Sequence, residues 1–506
     1  MKTLVRVLSS GKVLSISALI INLILLYVCD IYLQFYAYHL IAVGIALLLL
    51  IIHSIRGENM THIIFCFAVS SILPLPGIVF SIYLGNRKCN RRQIKLFKDI
   101  YYKSSAFISQ DATTLDTLKQ DRRETYKQVK YLLSVTNRPI HTGNITKYYN
   151  NTVDYFNEYI EVLKTAKKYI FIEVFSITDS EIWTQIFDVI RTKAREGVSV
   201  KLIYDYIGCK KGFKDKQYFK KLENHGIEAI SFNEPTALPS RINKYRSHRK
   251  FSVVDGTTAF FGGCNISDRY YGEAPWKDGG LKISGSAVWN FTVTFLEDYI
   301  YSAKKSVNFE DYLITNYPES KSKTKDYVQP FVIDPIQINN PEKKALLNCI
   351  NNAMDTLDIV APYMVLDDEI LTALKMASRS GVKISIIVPD TSIKKKLFYI
   401  SRSYYADLIR SGIRLYSYKT TYLHSKMVIC DGNTAILSSM NLDYRPMYTH
   451  FSDGVLVYKG TAMNGIMKDF ESMKDSSYEI TIKEMSKRNI FEKLIATIYR
   501  LLVPLT

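Results

Sequence analysis

The chain has 506 residues, of which 47% are hydrophobic, with a formal net charge of +18 and seven cysteines. That length excludes a small scaffold dependent on staples and leaves room for about three domains with sizeable cores. The absence of C-x-x-C and H-E-x-x-H patterns argues against a zinc site, and the odd, scattered cysteines argue against a disulfide framework.

Hydrophobicity is concentrated near the N-terminus, where Arg56 is the only Lys or Arg between positions 13 and 84. Three apolar stretches, Val13–Phe35, Ala37–Ile55 and Ile63–Leu84, each approach the ~20 residues that span a bilayer. The first is interrupted by Asp30, and no A-x-A-like cleavage site follows it, so a secretory signal is the weaker reading. Residues 1–86 are therefore read as an α-helical membrane region with two or three spans, making this a multi-pass protein of the cell membrane. Basic residues flank both ends, Lys2, Arg6 and Lys12 before and Arg87, Lys88, Arg91, Arg92 and Lys95 after. The larger cluster places the rest of the chain on the cytoplasmic face. Residues 87–140 form a basic juxtamembrane connector with helical stretches. With apolar spans attached, anionic membrane lipid is a more economical partner for the positive charge than nucleic acid, and no nucleic acid is expected.

Beyond the connector the pattern is α/β, twice. In residues 141–320 a strand Tyr169–Phe175 precedes a helix with Ile182, Ile186 and Val189 on one face. Gly197 ends that helix, and a second strand runs from Val198 to Ile203. Residues 321–506 repeat the order, with Leu357–Val360, a helix carrying Ile370, Leu374 and Ala377, Gly381, and Val382–Val388. The polar run Thr315–Lys325 links the two. Trp183 reads as core, and His141 and His225 read as surface.

One short pattern also occurs twice. His248, Lys250, Asp255 and Asn265 recur as His424, Lys426, Asp431 and Asn441, each 176 positions later. A lone H-x-K carries no information, but a doubled one in matched context does. Phe251–Val254 and Met427–Cys430 read as strands ended by Asp-Gly turns, so each His shares a face with its Lys while Arg249 or Ser425 points away. Two such half-sites meeting across a pseudo-twofold surround one centre with two imidazoles and two ammoniums. That centre suits a phosphate. One His attacks phosphorus while the other protonates the leaving oxygen. The two lysines, with Asn265 and Asn441, hold the non-bridging oxygens as charge builds. No metal or other cofactor is needed, and a lysine beside each histidine repels a divalent ion.

The doubled motif resembles the phospholipase D superfamily, and the surrounding residues are most similar to its bacterial cardiolipin synthase branch. The similarity includes Glu173, Tyr204-Asp205, Gly262-Gly263-Cys264-Asn265, Trp276-Lys277-Asp278, Pro362-Tyr363 and Asn441-Leu442-Asp443-Tyr444-Arg445. It extends to Pro74-Leu75-Pro76-Gly77 near the N-terminus and Leu501–Leu505 at the other end. The resemblance implies two pseudo-symmetric α/β/α repeats meeting at one active site. It implies transfer of a phosphatidyl group between two phosphatidylglycerol molecules, giving cardiolipin and glycerol. His248 would be the nucleophile and His424 the acid and base, with Asp255 and Asp431 counted in the catalytic signature, although both end their strands at turns, where fixing the strand end or pairing with a basic group is the alternative job. Asp278 and Asp453 would each orient one histidine. The chain departs from the pattern at Ser438 (usually Gly), Pro446 (usually Ser) and Asp453 (usually Glu), the last being a shorter arm. The residues alone leave open a hydrolase, another phosphatidyltransferase, and a membrane-tethered nuclease. The oligomeric state is not legible.

Overall fold

The computed structural model describes residues 20, 24, 27, 35–55, 67–71, 91–215, 217–234, 245–317, 326–335, 341–439, 441–442, 450–486 and 489–501. The chain divides into two units, one made of Met1–Asn90, Pro235–Lys244 and Leu501–Thr506, the other of Arg91–Glu234 and Tyr245–Arg500. In the first unit the Ala37–Ile55 stretch is helical, within α1 (Phe35–Ile55). Leu40, Ile41, Leu48 and Ile51 of α1 are exposed, and Ala42 and Ala46 are buried. Among the described residues no helix is long and apolar enough to cross a membrane. The other two apolar stretches lie largely outside the described residues, as do Pro446 and the Pro74–Gly77 segment.

The second unit begins with three helices, α2 (Arg91–Ser105), α3 (Ala112–Asp121) and α4 (Arg123–Thr136). The first half then runs β1 (His141–Thr142), β2 (Ile145–Tyr149), α5 (Thr152–Lys164), β3 (Tyr169–Val174), α6 (Glu181–Arg195), β4 (Ser199–Asp205) and β5 (Ile227–Phe232). It continues through β6 (Arg246–Ser247), β7 (Lys250–Val254), β8 (Thr258–Gly262), β9 (Gly280–Ser284) and α7 (Val288–Ala303). The second half runs β10 (Tyr327–Ile333), α8 (Pro341–Asn352), β11 (Thr356–Val360), α9 (Asp368–Arg379), β12 (Lys383–Pro389), α10 (Lys395–Arg410) and β13 (Arg414–Tyr418). It ends with β14 (Met427–Cys430), β15 (Thr434–Ser438), β16 (His450–Tyr458), α11 (Gly460–Asp475), β17 (Ser477–Glu479) and α12 (Ile490–Leu501).

Two sheets result, and their strand orders repeat. The first is β2-β9-β8-β7-β3-β4-β5; the second contains β10-β16-β15-β14-β11-β12-β13, with β1 and β17 at its edges. In each, β-α-β crossovers supply the parallel strands (β3-β4-β5 and β11-β12-β13), and the motif strand β7 or β14 joins antiparallel. Parallel strands covered by helices are buried on both faces, and every residue of β3 and β7 is buried. On α6 the buried stripe is Ile182, Trp183, Ile186 and Ile190, so the helix faces the core one residue beyond the expected Val189. Ser180 caps it by accepting from Trp183 N.

The expected connector does more than connect. Leu118, Val129, Leu132 and Ile140 are buried in the same core as Tyr327, Phe331, Ile436 and Leu456 of the second half. Its amphipathic helices complete the second sheet's cover, which a charged composition conceals. His141, expected at the surface, is half-buried with Nε2 at 3.1 Å from Asn290 Oδ1. Its edge strand pairs with β10, and burial pushes its imidazole down to about 4.

Candidate active site

Each motif histidine sits just before its strand and is anchored by the other half of the molecule. His248 N donates to Phe451 O at 2.7 Å, and His424 N donates to Lys277 O at 2.8 Å. β6 runs parallel to the start of β16, pairing Arg246 with His450 and Ser247 with Phe451. The matching contact on the other side is a parallel bridge between Lys277 and Leu423. The two half-sites thus brace one another across a pseudo-twofold.

Within each half the i, i+2 geometry brings the lysine onto its histidine. Lys250 Nζ lies 3.2 Å from His248 Nδ1 and donates to His248 O at 2.7 Å. Lys426 Nζ lies 2.8 Å from His424 Nδ1 and also donates to His424 O. Asp278, from the first half, receives His424 Nδ1 at 2.7 Å and lies 3.8 Å from Lys426 Nζ. Its position needs Gly263, because a Cβ there would come within 2.5 Å of the carboxylate. That explains one glycine of the motif.

The second carboxylate behaves differently. Asp453 Oδ2 accepts from Lys250 N at 3.0 Å, and its Oδ1 is buried without a hydrogen-bond partner among the described residues. Its contact with the first motif is to backbone, and among the described hydrogen bonds none joins it to the His248 ring. The ring bond to one histidine that the resemblance implies for Asp453 is therefore not found among the described residues. An aspartate arm is one methylene shorter than the glutamate usual at that place. His248 instead has Phe175 and His450 against its ring, at centroid distances of 4.8 and 5.4 Å. Around His424 stand Tyr270, whose hydroxyl is 3.3 Å from Nδ1, and Trp276, at a centroid distance of 5.6 Å. Asn265 donates from Nδ2 to Tyr270 OH at 3.3 Å. Asn265 and Asn441 both leave Oδ1 buried and without a partner among the described residues.

Asp255 and Asp431, counted as catalytic in the sequence, are placed elsewhere. Each ends its strand at a left-handed residue, with φ of 50° and 49°. Five residues of extended chain carry Asp255 about 17 Å from Lys250. Asp255 accepts from Lys167, Lys168 and Tyr169 N at 2.7–2.9 Å, and Asp431 from Met354, Asp355 and Thr356 N at 2.8–3.2 Å. Both carboxylates clamp the entry to the neighbouring central strand. Asp255→Ala should thus lower stability by about 3 kcal/mol, since the hydrogen bonds lost are charge-assisted. The folded fraction should keep its kcat within a few-fold, as melting curves and active-site-normalised rates would show.

The electrostatics follow from burial and crowding of like charge. Burial, then Lys250 and His450, hold His248 well below its ordinary value. Burial and Lys426 push His424 down to about 4, against the opposing pull of Asp278. Burial and the facing Lys426 push Lys250 down to about 7, and burial pushes Lys426 down to about 8. Burial would lift Asp278, but Lys426 and His424 outweigh it and its carboxyl ends below the usual range. Two neutral imidazoles and two strained ammoniums make a site short of an anion. Because the free lysines lose charge as pH rises through about 7 to 8, kcat/KM should fall over that window. Lys250→Arg, which cannot deprotonate there, should move the alkaline limb upward if it retains activity; an unmoved limb would assign that limb to another group.

Residues 159–274 and 346–474 match the family described as "Cardiolipin synthase, PLD-like domain". A cardiolipin synthase of Alkalihalophilus pseudofirmus is 30% identical over 448 residues, covering 86% of this chain and 87% of that one. The chain belongs to the cardiolipin synthase family. Cardiolipin synthase 2 of Bacillus cereus is 33% identical over 371 residues, covering 71% of this chain and 70% of the relative. Phosphatidylserine synthase of Haemophilus influenzae has the same fold, with a TM-score of 0.58 at 15% identity over 75% of this chain and 97% of that one. Both matched segments of this cardiolipin synthase family member contain one H-x-K motif.

Three contributors, two aromatics and one arginine, had no signal of their own in the sequence. Tyr270 and Phe175 touch the histidine rings, yet as isolated aromatics in a chain with 37 Tyr and 24 Phe they stand out in no way. Arg249 is the third. Its guanidinium, 1% exposed, pairs with Asp298 of α7 and with Asp334 after β10, joining the two halves behind the site.

Proposed function

We propose that the protein transfers a phosphatidyl group from one phosphatidylglycerol to a second, releasing glycerol and forming cardiolipin. The observation that carries this is the cross-braced pair of H-x-K half-sites, each histidine pressed by its own lysine and anchored by the opposite half. His248 is the nucleophile: it is held neutral, and no carboxylate is hydrogen-bonded to its ring among the described residues. His424 moves the proton, because Asp278 at its Nδ1 stabilises the imidazolium.

In the first step the negative charge of the bound phosphate, with Asp278, lets His424 take up a proton. A His248 ring nitrogen bonds to phosphorus, the phosphorus–oxygen bond to glycerol breaks, and the His424 imidazolium gives its proton to the departing oxygen. In the second step His424 takes the proton of the second lipid's terminal hydroxyl. That oxygen bonds to phosphorus, and the phosphorus–nitrogen bond breaks to restore His248. Lys250 and Lys426 hold the non-bridging oxygens, and binding the phosphate returns both lysines to full charge. Asn265 and Asn441, after a half-turn of the amide, add N–H donors. The lipid substrate is met at the cell membrane. The apolar N-terminal stretches anchor the chain there as a multi-pass protein, with the catalytic unit on the cytoplasmic face.

The test is purified full-length protein with vesicles of phosphatidylglycerol in chelator, products read by mass spectrometry. Cardiolipin and glycerol should appear in equal amounts. A strict need for a divalent ion or a CDP-activated lipid would overturn the reaction. Phosphatidic acid as the sole lipid product would make the protein a hydrolase.

A further inference from the structure

A narrow apolar cavity of about 40 Å³ opens between α8 and the face of the second sheet that carries Lys426. Its walls include Phe331, Leu346, Cys349, Val428 and Ile436. Lys426 also lines it, and the ammonium of that residue lies against the His424 ring. Lys426 thus belongs both to the cavity wall and to the reaction centre.

The first half shows what this space looks like when it is closed. Ser252 and Phe260 stand 176 positions before Val428 and Ile436, on strands of the same order. Counting back from the buried alanine that follows each helix, Ala166 or Ala353, puts Tyr159 where the second half has Leu346. There Tyr159 and Phe260 pack at 5.1 Å between ring centroids, Tyr155 packs on Phe260 at 5.6 Å, and the Tyr159 hydroxyl bonds Ser252 Oγ at 2.9 Å. Aromatic rings fill the first half's space. In the second half aliphatic side chains, a cysteine and the single ring of Phe331 leave it open.

We propose that this cavity is an acyl-chain subsite, holding the first methylenes of one fatty-acyl chain of the lipid whose phosphate sits at Lys426. The proposal rests on the phosphatidyl-transfer reading above. Room for about three water-sized units accommodates about three methylenes, too little for a ring and enough for the start of a chain. An apolar space this close to buried lysines suits a ligand with an anionic head and a hydrocarbon tail. Because the first half is plugged, only one side of the pseudo-twofold offers a chain such a seat. The two lipids of the reaction are thereby told apart.

The experiment uses phosphatidylglycerol with a photoreactive group near the ester end of one acyl chain, in phosphatidylcholine vesicles, with wild-type and Ile436→Phe protein. Ile436→Phe restores the first half's residue; Cys349→Phe is a second way to close the space. Wild-type protein should be labelled within residues 341–352 or 427–438, and both variants should lose that label while melting as wild type does. With unlabelled phosphatidylglycerol the variants should show roughly tenfold to fiftyfold lower kcat/KM, the effect of losing about three buried methylenes. Labelling of wild type only elsewhere would overturn the subsite, and so would unchanged kcat/KM in a folded variant. If the cavity is labelled but no cardiolipin forms, the reaction is wrong and the subsite stands. If cardiolipin forms and the cavity is not labelled, the subsite is wrong and the reaction stands.

Discussion

His248→Ala should lower cardiolipin formation by roughly 10⁴-fold or more and should form no covalent lipid adduct with any substrate. His424→Ala should lose turnover on phosphatidylglycerol to a similar degree, for a different reason. Without His424 glycerol departs as an alkoxide, and the incoming hydroxyl keeps its proton. A phosphatidyl ester whose leaving group needs no proton should therefore still load His248, and the adduct should accumulate because nothing activates the second step. Intact-protein mass spectrometry of the two variants separates these fates. An adduct that forms in His248→Ala and is absent from His424→Ala would exchange the roles. Asp278→Asn should resemble a mild form of His424→Ala, since the carboxylate at His424 Nδ1 supports its charged form.

Arg249→Met should cost about 3–5 kcal/mol of stability, the range expected when one partner of a buried charge cluster is removed. Arg249 is buried, and the attraction of Asp334 and Glu173 overcomes its burial to keep it charged more firmly than an ordinary arginine. The carboxylates left behind belong to α7 in the first half and to the segment after β10 in the second. Adding Asp298→Asn and Asp334→Asn to Arg249→Met should recover a substantial part of the loss, as chemical denaturation of the single and multiple variants would show. Equal stability of wild type and Arg249→Met would remove the inter-half staple from the account. Ser425 stands where the second motif would have the corresponding arginine, so the fastening is one-sided.

What could be read from the sequence divides along a physical line. Periodicity within a few residues located the β3-α6-β4 and β11-α9-β12 units, and the i, i+2 rule put His248 with Lys250 and His424 with Lys426 on shared faces. The bond between Asp278 and His424 joins residues 146 positions apart, and local pattern carries no information on such a pairing; the family resemblance implied only that Asp278 orients one of the two histidines. The same resemblance expected a ring bond from Asp453, where the shorter side chain meets Lys250 N instead. Asp255 and Asp431 show the reverse problem. They recur within the motif because each half needs its strand entry clamped, and repetition alone does not separate a structural repeat from a catalytic one. The helical stretches of α3 and α4 were expected, but their burial was hidden by their charged outer faces: Leu118, Val129 and Leu132 lie wholly inside.

The central claim is a double displacement at one phosphorus through a histidine, and stereochemistry tests it most directly. Phosphatidylglycerol made chiral at phosphorus with oxygen isotopes, or with one sulfur, would be converted by the wild-type protein and the configuration of the new diester determined. Two in-line displacements each invert phosphorus, so the account predicts net retention. Net inversion would mean that the second lipid attacks the first directly and would contradict it.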